Sequence, residues 1–298
     1  MNCNIIAVSI YGTEQGVSYN YGLNTKVYYF YTMIPKINTR LSILLTATIL
    51  LLNSTCLVAQ SQKQNLNLVF IGNSITHGSG LSDPANEAPP VEASAYLRQQ
   101  PGIGTVTFSN QGYSGFTTVD FLPSTATAFT KVEQAAHAFT DKQALLLFSV
   151  KLGTNDSAIQ GPNGSPVSPG VYKQNLKAIA DSLLKEFPGC ILVFQHPIWY
   201  SPNTYNGAKY LEEGLLRLQS YIPQIDQLVA DYAKTYPKQV FIGDKKGFGY
   251  FKKHYLTDLQ PEQGHQGTFY LHPNKQGAIA LGDFWGEAIN KVIKQCAN

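Results

Sequence analysis

The chain has 298 residues, 44% hydrophobic and 14% charged, with a formal net charge of +3. This is the composition of a globular protein. So small a charge, with no basic block, does not suggest nucleic acid as a partner.

The first 59 residues read as a leader rather than as part of a fold. In "MIPKINTRLSILLTATILLLNSTCLVAQ", Lys36 and Arg40 precede an apolar run over 41–52, and Ala59 offers a small residue before a cut. That is the layout of a secretory signal peptide. The run falls short of the roughly 20 residues a membrane span needs. Met1 and Met33 are the only methionines, so Met33 is the expected true start. The alternative is an uncleaved anchor. Cys56 suggests a lipoprotein, but the residues before it make a poor lipid-attachment motif. The expectation is therefore an extension plus signal over 1–59 and one domain over 60–298. The mature protein is expected to be secreted or periplasmic, with no stable membrane span. Its two cysteines, Cys190 and Cys296, lack a framework spacing and are expected as free thiols.

Beyond the leader, apolar runs alternate with amphipathic segments. Strands are predicted over 66–72, 104–110, 144–153, 190–196 and 239–244. Helices are predicted over 90–100, 124–139, 171–187, 207–235 (interrupted at Pro223) and from about Pro273 onward. In 171–187, Leu176, Ile179, Ala180, Leu183 and Leu184 share one helical stripe. Near-continuous apolar strands separated by helices imply an α/β fold, a three-layer α/β/α sandwich on a five-stranded parallel sheet. The Gly- and Pro-rich loop over 158–170 follows a strand, at the edge where such sheets bind ligands.

Four segments fall at that same edge: "GNSIT" (72–76), "NQGYSGFTT" (110–118), "GTNDS" (153–157) and "LHPNKQG" (271–277). Ser74 stands at a strand-to-helix turn, where a hydroxyl is presented to a ligand. Read alone, it is a common helix-capping serine. Asn155 carries a neutral amide donor, or caps its own turn. His272 precedes Pro273 at a helix start. His196, at a strand end, competes with it as the reactive histidine.

Together, and in this order, the four blocks resemble the SGNH (GDSL-type) hydrolases, over nearly all of 66–295. The resemblance implies a flavodoxin-like sandwich and a serine esterase needing no metal or organic cofactor. It implies Ser74 as nucleophile, Gly115 (with Gly112 as the competing register) and Asn155 as oxyanion donors, and His272 as base. Asn73 replaces the family's usual Asp before the serine. A larger departure is Phe269, which stands where the family has its acid, three residues before the histidine. A phenyl ring cannot orient an imidazole. The open alternatives are Glu262 or Asp258 from upstream, a Ser-His dyad steadied by a carbonyl, or an inactive protein; Asp244 is a weaker candidate acid. Secreted members of this kind often remove O-acetyl groups from sugars such as acetylated xylan or sialic acid. A carbohydrate acetylesterase, acting on a small or polymeric ester, is thus expected. A lipase or lysophospholipase, or a carbohydrate-binding pseudoenzyme, is the alternative. Trp199, Tyr200 and Tyr205 are candidate stacking surfaces for sugar rings, or ordinary loop packing.

Overall fold

The computed structural model describes residues 63–297. The leader segment, with its signal-like run and Cys56, lies outside the described residues.

Five parallel strands form the central sheet: β1 (Gln64–Gly72), β2 (Ile103–Gly112), β3 (Leu145–Lys151), β4 (Ile191–Phe194) and β5 (Val240–Ile242), in the spatial order β2-β1-β3-β4-β5. β1 is buried from Leu66 to its end, because helices cover both faces. Phe70 stacks on Trp285 at 6.1 Å, placing α8 (Lys275–Ala297) on one face. Phe148 pairs laterally with Val69, so it points to the other face, where it meets Phe187 at 5.4 Å. Phe187 ends α5 (Pro169–Glu186), which packs on α6 (Leu211–Tyr232) through Tyr172 stacked on Tyr221 at 4.0 Å. Between β1 and α5 lie α1 (Ser74–His77), α2 (Pro84–Glu87), α3 (Pro89–Arg98) and α4 (Ala128–Ala138). This is the three-layer sandwich the sequence implies.

Two predicted elements are corrected. α6 runs straight through Pro223. Its stripe of Leu215, Leu218, Tyr221, Ile225, Leu228 and Tyr232 is buried, and that packing outweighs the roughly 3 kcal/mol of an internal proline. α4 starts at Ala128 rather than at 124, because Pro123–Thr125 forms a tight turn that Ala126 ends in a left-handed conformation, with φ of 51°. The region after β5 holds elements not foreseen: helix α7 (Gly247–Asp258) and an antiparallel hairpin of β6 (Leu259–Gln263) with β7 (Thr268–Pro273). "LQPEQ" is polar and contains proline, which masks a strand. In β7 the alternation of buried Phe269, Leu271 and Pro273 was readable.

Cys190 is buried and Cys296 partly exposed, and both are free thiols. Among the described residues no helix is long and apolar enough to cross a membrane.

Candidate active site

Strand register brings three of the four blocks together. Gly72, the last residue of β1, pairs with Gly112 of β2 on one side and with Lys151 of β3 on the other. The segments that follow, with Ser74, Gly115 and Asn155, therefore leave the sheet side by side at its C-terminal edge. The Asn73 side chain accepts from the Ile75 N–H at 3.1 Å and caps α1. It thereby fixes the turn on which Ser74 sits, 7% exposed. The Asn73 amide nitrogen is buried with no partner among the described residues.

The fourth block arrives on β7. His272 Nε2 lies 2.8 Å from Ser74 Oγ, across 198 positions of sequence. His272 Nδ1 lies 2.8 Å from Glu262 Oε1, which also accepts from the His272 backbone N–H at 3.2 Å. The other carboxylate oxygen of Glu262 accepts from the Asn206 side-chain amide at 2.9 Å. Burial pushes the Glu262 carboxyl up, but the hydrogen bonds and charge of His272, with help from Asn206, outweigh it and hold the group below its ordinary value. An ionised Glu262 accepts a hydrogen bond from Nδ1–H, which keeps the proton on Nδ1 and leaves Nε2 free to accept from the Ser74 hydroxyl. Gln260 ties the hairpin to the serine turn, donating to the Ser79 carbonyl at 3.3 Å and the Pro273 carbonyl at 2.9 Å.

Phe269 is fully buried and stacks on Tyr210 at 5.8 Å. It pairs directly with Glu262 in the hairpin. The carboxylate thus comes from the strand beside the phenylalanine. The other candidate acids are engaged elsewhere. Asp258 accepts from the Tyr250 hydroxyl at 2.6 Å. Asp244 caps α7 through the N–H groups of Lys246 and Gly247 at 2.7 and 3.0 Å. His196 lies 3.0 Å from Asp226, and its pKa is lowered, chiefly by burial.

Gly115 and Gly112 separate by environment. Gly115 has φ of 82°, which favours glycine, and a Cβ there would meet nothing within 4 Å. A Cβ on Gly112 would come within 2.3 Å of the His77 backbone nitrogen. Gly112 therefore serves the close approach of β2 to α1, while Gly115 lies open. The Ser79 and Ser114 hydroxyls, 2.7 Å apart, hold the Gly115 loop to the serine turn. Asn155, 3% exposed, donates to the Phe116 carbonyl at 2.8 Å and accepts from the Tyr210 hydroxyl at 2.9 Å. With its carbonyl anchored, the second amide proton remains for a ligand. Asp156 is fully buried, binds Thr118 through one oxygen, and is pushed up to about 6 by burial.

Sequence reasoning missed Asn206 and Tyr210, both in "YNGAKY". Only the aromatic content of that stretch marked it. Trp199 and Tyr200 are buried, which removes them as sugar-stacking surfaces, while Tyr205 stays partly exposed.

The sequence profile described as "GDSL-like Lipase/Acylhydrolase family" matches residues 70–279, from β1 into α8. The chain belongs to that family. This GDSL-type hydrolase matches no curated protein. Its fold is shared with a carbohydrate acetylesterase, Est24, from Sinorhizobium meliloti (TM-score 0.52, 16% identity, 76% of this chain and 99% of that one). A putative arylesterase from Agrobacterium tumefaciens str. C58 is similar (TM-score 0.52, 15% identity, 76% and 99% covered). So is a putative GDSL-like lipase from Parabacteroides merdae ATCC 43184 (TM-score 0.52, 17% identity, 77% and 98% covered). Identities this low speak for the SGNH hydrolase fold alone.

Proposed function

We propose that this GDSL-type ester hydrolase is an exported serine esterase that removes O-acetyl groups from carbohydrates. The observation that carries the chemistry is the relay Glu262–His272–Ser74, with both links at 2.8 Å. His272 Nε2 takes the Ser74 proton as Oγ attacks the ester carbonyl carbon. The Gly115 N–H and the Asn155 amide donate to the oxygen that becomes negative. When the tetrahedral intermediate collapses, His272 gives its proton to the leaving alcohol, and acetyl-Ser74 remains. Water then gives a proton to His272 and attacks the acyl carbon. Acetate leaves, and Ser74 recovers its proton.

Glu262 supports an active enzyme over the pseudoenzyme that Phe269 suggested. A carbohydrate alcohol is supported by the polar surroundings of Tyr205 and, by analogy of fold, by the acetylesterase relative. Export rests on the signal-like segment before Ala59.

A fluorophosphonate tests the chemistry. Ser74 should carry the adduct, found by peptide mass spectrometry, and Ser74→Ala should carry none. Acetate release across acetylated polysaccharides then tests the substrate class. Absence of labelling, under conditions that label a control esterase, sinks the enzyme reading.

A further inference from the structure

The loop between β4 and α6 is stitched to the hairpin along its length. Tyr270 N–H donates to Ser201 Oγ at 2.9 Å, Asn203 donates to the Thr268 carbonyl at 3.0 Å, and His265 N–H donates to the Tyr205 carbonyl at 2.9 Å. On its other flank, Lys209 exchanges backbone hydrogen bonds with residues 159 and 160, the start of the Gly- and Pro-rich loop. Within this segment Asn206 holds Glu262 and Tyr210 holds Asn155. The segment thus spans the reactive centre, from acid to amide donor.

A pocket of about 320 Å³ opens in it, lined by Asn203, Tyr205, Lys209, Leu211, His265 and Gln266 among others. The Tyr205 and His265 rings pack at 4.4 Å, and Lys209 Nζ lies 6.0 Å from the Tyr205 ring centre. No carboxylate lines the pocket, and among the described residues Lys209 forms no ion pair. Leu211 holds a left-handed φ of 55°, uncommon for a bulky side chain, directly after Tyr210. Strain of this kind gathers at ligand sites.

Amides, a ring pair and an unpaired cation suit a ligand with hydroxyls, an apolar ring face and a negative charge. They do not suit an acyl chain. We propose that this pocket is the subsite for the alcohol side of the ester and that it takes a sugar unit bearing a carboxylate. The carboxylate meets Lys209 in a charge-assisted hydrogen bond. Hydroxyls reach Asn203 and Gln266, and the sugar ring lies along Tyr205. This rests on the carbohydrate-esterase reading and narrows its substrate class.

The test is binding without turnover. Ser74→Ala protein is titrated calorimetrically with methyl glucuronide and with methyl glucoside, which differ by the carboxylate. The glucuronide should bind at least about tenfold tighter, the effect of one charge-assisted contact. Lys209→Met on the Ser74→Ala background should abolish that preference, and Tyr205→Ala should weaken both sugars. Unchanged circular dichroism shows that each variant folds. Equal binding of the two sugars, binding of neither, or a preference that survives Lys209→Met overturns the proposal. None of these outcomes touches fluorophosphonate labelling, which decides the esterase reading separately.

Discussion

Glu262 Oε1 stands 2.8 Å from His272 Nδ1, reaching it from the neighbouring strand of an antiparallel hairpin. Glu262→Gln keeps the shape but loses the charge that fixes the tautomer. Its kcat on p-nitrophenyl acetate is expected to fall by up to about 10⁴-fold. Asp258→Asn, which alters only a contact with Tyr250, should leave kcat within a few-fold. Equal losses from the two variants would mean that Glu262 has no special part in the reaction.

Gly115→Ala and Gly112→Ala should fail in different ways. A methyl at Gly115 meets open space but resists φ of 82°. It should reorient the N–H and lower kcat, with little change in thermal midpoint. A methyl at Gly112 collides with the His77 backbone and should lower the thermal midpoint instead. Paired melting curves and rates distinguish them.

On the proposed mechanism, in which the Asn155 amide donates to the developing oxyanion, Asn155→Ala should cost about 10²- to 10³-fold in kcat. Tyr210→Phe removes only the hydroxyl that anchors the Asn155 carbonyl. Its kcat should drop less than that of Asn155→Ala, with KM little changed. A double variant no worse than Asn155→Ala alone would show that Tyr210 acts through the asparagine.

Lys151 gives a pH signature in stability. Its amine is fully buried at the end of β3, donates to Thr154 Oγ1 at 3.0 Å, and is lowered by burial to about 7 from an ordinary 10.5. Between those values the unfolded chain binds more protons than the folded one. Unfolding free energy therefore rises with pH across that window, and the burial penalty is full below about 7. Lys151→Met lacks this dependence. The variant's stability minus that of the native chain, from urea titrations, should shrink as pH rises from 7 toward 10.5. A difference constant with pH would show that the amine keeps its proton throughout.

The sheet was legible because strands covered on both faces write themselves as unbroken apolar runs, as β1 and β3 do. Ser74, Gly115, Asn155 and His272 were legible as blocks because each follows a strand end or precedes a helix. Glu262 could only be one candidate among several. Its position depends on pairing within a hairpin whose first strand is polar and holds Pro261. Asn206 and Tyr210 act through contacts 56 and 55 positions away, and no local pattern encodes such a contact.

The hairpin divides its labour along its length. Its paired strands fix the spacing of carboxylate and imidazole, so a single-residue deletion within either would turn one of them away. Its tip, with His265 and Gln266, bears on that spacing much less. The tip can therefore be lengthened or rewritten, and the pocket that His265 and Gln266 line reshaped, while the carboxylate, imidazole and hydroxyl behind it keep their geometry.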